Sequence, residues 1–401
     1  MPRTLRIRSA GDDVKFLQER LNSRLPTALP LLGVDGKFRA KTLARVKEFQ
    51  GNNVLTVDGI VGPPTWIKLL GDTVVKMTGF FVLGRDLYDR RGSKVILRGV
   101  NKMCVYEQPD DARGQISFPE IKQTGANTVR IVWRIATNQG VTSTATLDAL
   151  ITSAKANHLI PMIELHDATG EWGRLNDLVD YWTQLAVVSI LRKHQAHLLV
   201  NIGNEVGNDT VSPADFVAGY TNAVQRLRAA GIHTPLVIDA SDWGKDLGML
   251  NNTAAALLTA DPEGNLMFSV HLYWPLSDGA DADFIQTRLQ HAHGLWYPLI
   301  VGEFSKYGGY AGKDEQGNPR SICGDFGEID YQTILKSCYE MEIGWYAWEW
   351  GPGNGFDDPL CAVMDMTPDR LFAHLKPGWA HEVAISSPFG IQQTAVTPAS
   401  I

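Results

Sequence analysis

Beyond residue 94, short apolar runs closed by polar or turn residues recur at Val95–Gly99, Thr128–Trp133, Pro161–His166, Leu198–Glu205, Leu236–Asp239, Met267–Tyr273, Leu299–Glu303 and Gly344–Trp348. Apolar runs of this length, bounded in this way, read as strands buried on both faces. Between them lie stretches with apolar residues three or four apart, among them Leu147–Ala156, Ala214–Ala230 and Tyr331–Glu340. These read as amphipathic helices, and Gly231 stands at the C-terminal stop of one of them. Eight alternations predict an α/β fold, a parallel sheet closed into a (β/α)8 barrel with the helices as its outer ring. The Ser-, Pro-, Thr- and Gln-rich segment from about Pro377 onward reads as a wrap or a frayed end.

The first 72 residues follow a different pattern. Val14, Leu17 and Leu21, then Leu43, Val46 and Phe49, repeat at helical spacing. An internal echo accompanies them: Val34-Asp35-Gly36 with Thr42, then Val57-Asp58-Gly59 with Thr65, each Asp-Gly turn leading into a helical stretch. The segment predicts a small three-helix domain over residues 1–72, joined by a linker near Gly71–Thr78 to a barrel domain over 79–401. Gly11-Asp12-Asp13-Val14, Leu17-Gln18, Leu21-Asn22, Phe49-Gln50, Asp58-Gly59, Gly62 and Thr65-Trp66 give this segment a resemblance to the peptidoglycan-binding domain type 1. That resemblance implies a cell-wall or other glycan ligand. A module that only spaces or stabilises the barrel is the competing reading.

A length of 401 residues leaves room for one barrel of about 250 residues and one small module. No run of about 20 apolar residues predicts a membrane span, so no membrane partner is expected. The net charge of −7 is uneven: residues 1–72 hold 12 Lys and Arg against 7 Asp and Glu, the remainder 25 against 37. An acidic barrel argues against a nucleic-acid partner. Residues 1–10 carry Arg3, Arg6 and Arg8 without an apolar stretch of secretory-leader length. Cys104, Cys323, Cys338 and Cys361 lack the close pairing of a zinc site. Either Cys323 and Cys361 clamp the loops around Trp345–Trp350, or all four are separate buried thiols.

Candidate chemistry lies where the apolar runs end. Glu205 closes His-Leu-Leu-Val-Asn-Ile-Gly-Asn-Glu (197–205) and Glu303 closes Pro-Leu-Ile-Val-Gly-Glu (298–303). Barrel enzymes gather their chemistry at the C-terminal ends of strands, and glycosidic bonds are commonly cleaved by a carboxyl pair. A lone strand-end carboxylate also reads as a cap on the following helix. Convergence separates the two readings: Arg130, His166, Asn204, Glu205, His271, Tyr273, Glu303 and Trp348 all fall at or near the ends of strands two, three, four, six, seven and eight. No short His/Asp/Glu spacing supports a metal site, so neither metal nor cofactor is expected.

At these residues the chain resembles glycoside hydrolase family 5, over roughly residues 79–375. Within that family it is most similar to bacterial endo-β-1,4-mannanases, through Gly-Ala-Asn-Thr-Val-Arg-Ile-Val (125–132), Glu-Leu-His-Asp-Ala-Thr-Gly (164–170), Val-Asp-Tyr-Trp (179–182), Met-Phe-Ser-Val-His-Leu-Tyr (267–273) and Val-Gly-Glu-Phe (301–304). The resemblance implies a retaining endo-acting glycosidase, with Glu303 as nucleophile and Glu205 as acid/base. It implies Arg130 and Tyr273 as supports that keep the nucleophile ionised, and Asn204 as the contact to the sugar 2-hydroxyl. Trp348 is implied as a platform for a pyranose ring, and His166 and His271 read as hydrogen-bonding supports. Trp172, Trp243 and Trp274, in loops after strands three, five and six, either line outer sugar subsites or pack. After strand eight the chain departs from the mannanase pattern, with Ala-Trp-Glu-Trp-Gly-Pro-Gly-Asn (347–354), where Glu349 is an extra carboxylate near the cleft. The insertion 306–327 also differs.

The expected function is hydrolysis of a β-1,4-linked polysaccharide, most of all mannan. The alternatives are an endo-β-1,4-glucanase and a wall-binding protein with an inert barrel. A secreted or cell-wall location fits such a substrate.

Overall fold

A computed structural model of the chain describes residues 4–25, 30–70, 79–104, 111–137, 140–308, 311–313, 319–321, 327–354 and 359–401. The chain forms two compact units, Met1–Lys94 and Val95–Ile401.

In the first unit, helices Asp12–Arg24, Ala40–Asn52 and Pro63–Leu70 enclose a core that includes Val14, Leu17, Leu21, Phe38, Val46, Phe49 and Trp66. The echo in the sequence is a duplicated hydrogen-bond network. Gln18 Nε2 donates to Asp35 Oδ1 at 2.9 Å and to Thr42 Oγ1 at 3.2 Å, while its Oε1 accepts from Gly36 N at 3.0 Å. Gln50 repeats this with Asp58 Oδ1 at 2.9 Å, Thr65 Oγ1 at 3.1 Å and Gly59 N at 2.9 Å. Each buried amide thus fastens an Asp-Gly turn to a helix. Gly36 and Gly59 take φ of 68° and 74°, which a side chain would strain. Phe81, Leu83 and Tyr88, from a small three-stranded sheet that follows the helices, share this core.

The second unit is a closed parallel barrel of eight strands in sequence order. They are β1 (Arg98–Lys102), β2 (Thr128–Trp133), β3 (Ile160–Leu165), β4 (Leu199–Asn201), β5 (Leu236–Asp239), β6 (Leu266–His271), β7 (Leu299–Glu303) and β8 (Gly344–Ala347). The expected strands β2, β5 and β7 have the observed bounds; β1 begins three residues later than expected, and β4 ends at Asn201, with a turn carrying the chain on to Glu205. All eight are buried along their length. Their outer faces meet helices whose buried residues, such as Leu147, Leu150, Phe216, Leu250 and Leu289, complete one continuous core. Side-chain caps start several of these helices: Ser143, Ser212, Asp246, Asp281 and Asp330 each accept a backbone N–H of the first turn.

The C-terminal segment is a wrap. Trp379, Ala380, Val383, Ala384 and Ile391 join the barrel's core. Arg98, fully buried, donates to Ile343 O at 2.7 Å and to Thr394 Oγ1 at 3.2 Å, so the segment helps to close the N-terminal end of the barrel. Cys104 and Cys338 are buried free thiols, and Cys361 is disulfide-bonded. Cys323, the linker 71–78 and much of the insertion 306–327 lie outside the described residues.

Candidate active site

Parallel strands end on one face of the barrel, so side chains from different strands meet there without being neighbours in sequence. Arg130, in the middle of β2, is fully buried and reaches up the barrel axis. Its Nη1 donates to Glu303 Oε1 at 2.7 Å and to Asn101 Oδ1 at 3.0 Å. Its Nη2 donates to Asn201 Oδ1 and Asn204 Oδ1, both at 2.8 Å, and to Asp239 Oδ2 at 3.2 Å. One guanidinium therefore ties together strands β1, β2, β4, β5 and β7. Tyr273 Oη donates to the other Glu303 oxygen, Oε2, at 2.9 Å.

Glu205 follows β4 by four residues and holds a left-handed backbone, φ 49°, which a non-glycine residue adopts only under constraint. Its Oε1 lies 2.7 Å from His271 Nδ1. The facing atoms of Glu205, His271 and Glu303 all lie within 4.8 Å of one another. The two carboxyls thus approach within 4.8 Å at their facing oxygens, a proximity in keeping with the close pair of retaining glycosidases, about 5 to 5.5 Å apart, more than with the roughly 6.5 to 9.5 Å of inverting ones. Gly302 makes the approach of β6 and β7 feasible: a Cβ there would stand 2.2 Å from Ser269 Oγ and 2.8 Å from His271 Nε2.

Burial sets the electrostatics. It pushes the Glu303 carboxyl above its ordinary range, against the pull of the His271 and Arg130 charges. Burial alone would lower His271, but the carboxylates of Glu303, Asp239 and Glu205 outweigh it and lift the imidazole to about 9. Tyr273 is driven well above the ordinary phenol value by burial and by Glu303, so it remains a donor at neutral pH. His166 is likewise raised: burial opposes protonation, but Glu164, with Oε1 2.9 Å from Nδ1, outweighs it together with Glu303 and Glu205.

Trp348, just past β8, is 7% exposed, and its ring runs nearly parallel to that of His166, 18° apart with centroids 6.0 Å away. Its Nε1 donates to Asn354 Oδ1 at 2.7 Å. The peripheral tryptophans divide. Trp172 stacks on Phe216 at 5.8 Å and meets Tyr220 edge-on; Trp274 meets Phe284 edge-on at 5.6 Å and donates to Lys245 O. Both pack against the barrel's core and stay partly exposed. Trp243 is 41% exposed and lies against Gly170. Glu349 does not reach the cleft surface: it is fully buried, 3.8 Å from the equally buried Lys102 Nζ, and accepts Met103 N at 3.0 Å.

Glu205, His271 and Glu303 are the group among the described residues that could hold a metal ion. Arg130, 2.7 Å from Glu303 Oε1, already supplies a buried positive charge at that carboxylate, which disfavours a second cation there. Sequence reasoning missed four participants, Asn101, Glu164, Asn201 and Asp239, all fully buried. Asp239 had a signal: Leu-Val-Ile-Asp is an apolar run closing on a carboxylate, as at Glu303.

Comparison with known proteins agrees with this geometry. Residues 88–354 match the model of the cellulase family, glycosyl hydrolase family 5, and residues 10–69 match that of a putative peptidoglycan binding domain. The chain is 30% identical over 320 residues to a mannan endo-1,4-beta-mannosidase of Salipaludibacillus agaradhaerens, covering 79% of this chain and 94% of that one. It is similar in structure to a β-mannanase of Thermomonospora fusca in complex with mannohexaose, with a TM-score of 0.66 and 31% identity over 80% of this chain and 98% of that one. An endoglucanase catalytic domain of Thermobifida fusca, 20% identical with a TM-score of 0.52 over 75% of this chain and 96% of that one, shares the fold. The chain belongs to glycosyl hydrolase family 5 and is a retaining, endo-acting glycoside hydrolase.

Proposed function

We propose that the chain is an endo-β-1,4-mannanase in which Glu303 attacks the anomeric carbon and Glu205 protonates the leaving oxygen. The observation that carries the assignment of roles is the unequal surroundings of the two carboxylates. Glu303 is held at both oxygens, by Arg130 and by Tyr273, which fixes its position for attack, and the Arg130 charge offsets part of the effect of burial on its carboxyl. Glu205 is engaged at Oε1 by the His271 imidazolium, which leaves Oε2 to carry the proton toward the glycosidic oxygen. After the glycosyl-enzyme forms and the leaving sugar departs, the same carboxylate takes a proton from water for the second displacement. Asn204, oriented by Arg130 on one side and Thr169 Oγ1 on the other, is positioned for the 2-hydroxyl, a contact that strengthens as the anomeric carbon becomes positive.

Mannan is favoured as substrate because a mannanase relative at 30% identity runs nearly its full length alongside this chain, whereas the likeness to the endoglucanase is one of fold. Mannose and glucose differ at the 2-hydroxyl, and a misplaced hydroxyl leaves a buried polar group unpaired at a cost of about 1–3 kcal/mol. Reducing-end release under matched conditions should be about tenfold or more faster from glucomannan or galactomannan than from carboxymethylcellulose or mixed-linkage β-glucan. Equal or faster release from the glucans would transfer the assignment to an endoglucanase.

The small module supports a glycan-tethering role and a place of action outside the cell, at a wall or other polysaccharide. Because Phe81, Leu83 and Tyr88 belong to its core, the comparison is the full chain against residues 95–401. Tethering requires the full chain to bind insoluble peptidoglycan and the barrel alone to lose that binding, at unchanged kcat on soluble substrate.

A further inference from the structure

We propose that Asp239 is a positioning residue for Glu205, acting through the Glu205 backbone and the His271 ring. The proposal rests on the reading of Glu205 as the acid/base. Asp239 ends β5, a strand that contributes none of the eight residues expected from the sequence, and it is fully buried. Its two oxygens serve four groups from four other parts of the site. Oδ2 accepts the Glu205 backbone N–H at 3.1 Å and Arg130 Nη2 at 3.2 Å, and lies 3.5 Å from His271 Nε2. Oδ1 accepts Asn201 Nδ2 at 3.1 Å.

Each contact bears on where the Glu205 carboxyl stands. The backbone of Glu205 is left-handed, a strained state that persists only when its surroundings impose it. The hydrogen bond from its N–H to the buried Asp239 carboxyl is such a constraint. The second route runs through His271, whose Nδ1 faces Glu205 Oε1 at 2.7 Å while Nε2 finds no hydrogen-bond partner among the described residues. The Asp239 carboxylate behind that ring favours the imidazolium form electrostatically, and so favours an Nδ1–H donated to Glu205. The charged and titratable groups facing His271 are Glu205, Asp239 and Glu303, the last with Oε1 3.6 Å from Nδ1. Two carboxylates thus flank the ring on its Glu205 side and one behind it, and Arg130 shares Oδ2 of Asp239. A residue that acts through the acid/base must matter more when the leaving group needs its proton than when it does not.

The test compares Asp239→Asn, which keeps the size of the side chain, with wild type on two substrates. One is the polysaccharide hydrolysed fastest; the other is a 2,4-dinitrophenyl glycoside of the matching oligosaccharide, whose leaving group departs unprotonated. The kcat/KM for the polysaccharide should fall roughly 10- to 100-fold, and that for the dinitrophenyl glycoside by less than about threefold. In a Glu205→Ala background the same substitution should add no further loss on the polysaccharide, because the group it positions is gone. Even losses on both substrates, or additive losses in the double variant, would mean that Asp239 only holds the barrel together. Glu205→Ala measured alongside separates the two ideas. If it shows no dependence on leaving group, the acid/base reading falls and the proposal with it; if it does and Asp239→Asn does not, the proposal alone falls. Should Asp239→Asn fold poorly, Asp239→Glu, which keeps the charge but displaces it, is subject to the same comparison.

Discussion

Arg130 donates to Glu303 at 2.7 Å although 173 positions separate them, and both side chains are almost fully shielded from water. A guanidinium can serve Glu303, Asn101, Asn201, Asn204 and Asp239 together because its donors form a rigid fork; an ammonium is a point charge with a different geometry. Arg130→Lys should therefore lower kcat by roughly 100- to 1,000-fold with a smaller change in KM. Steady-state kinetics checks this, with circular dichroism showing a retained fold.

Glu205→Ala should lose about 100- to 10,000-fold in kcat on polysaccharide. With a dinitrophenyl glycoside the first displacement needs no acid, and azide can replace the base-activated water of the second. Added azide should restore turnover and yield a β-glycosyl azide, identified by mass and NMR. An α-azide, or no rescue, would contradict the assigned role.

The barrel was legible because its strands are buried on both faces, which leaves unbroken apolar runs such as Thr128–Trp133 and Leu299–Glu303 with clear ends. The eight residues expected at the site lie on one face for the same reason. The polar groups beneath them were not legible. Asn101 and Asn201 sit within or at the end of strands, where a polar residue looks like a break in the pattern until Arg130 is seen to need acceptors there. Glu349 misled in the opposite direction: its place after Trp348 pointed to the cleft, but Met103 N and Lys102 draw the carboxylate inward.

In the small module, Gln18 and Gln50 stand in the motif, but the bond each makes to an Asp-Gly turn was not legible, because 18 positions separate Gln18 from Gly36 and 9 separate Gln50 from Gly59. Gln18→Ala or Gln50→Ala takes the partner from a buried glycine N–H, Gly36 or Gly59, and from a buried threonine, Thr42 or Thr65, at about 1–3 kcal/mol for each group left unsatisfied. Hydrogen exchange should show faster opening of residues 12–52 or 40–70 in the respective variant, with kcat on soluble substrate unchanged.

Glu349 predicts a pH dependence of stability. Burial lifts it from the ordinary 4.5 to about 7, with Lys102 opposing the rise, so the folded chain holds a proton there that the unfolded chain releases. Its contribution is fully present below pH 4.5 and is lost as pH rises through about 7. The unfolding free energy of wild type relative to Glu349→Gln should decline across that window. A constant difference would show that Glu349 does not titrate there.

The most direct test of the account is covalent trapping of the nucleophile. A 2-deoxy-2-fluoro glycoside with a good leaving group forms the glycosyl-enzyme but slows its hydrolysis, since the fluorine destabilises the positive charge of both transition states. The account predicts time-dependent inactivation, one added glycosyl mass per chain, and fragmentation that places it on Glu303. A label on Glu205, or continued turnover with no adduct, would contradict it.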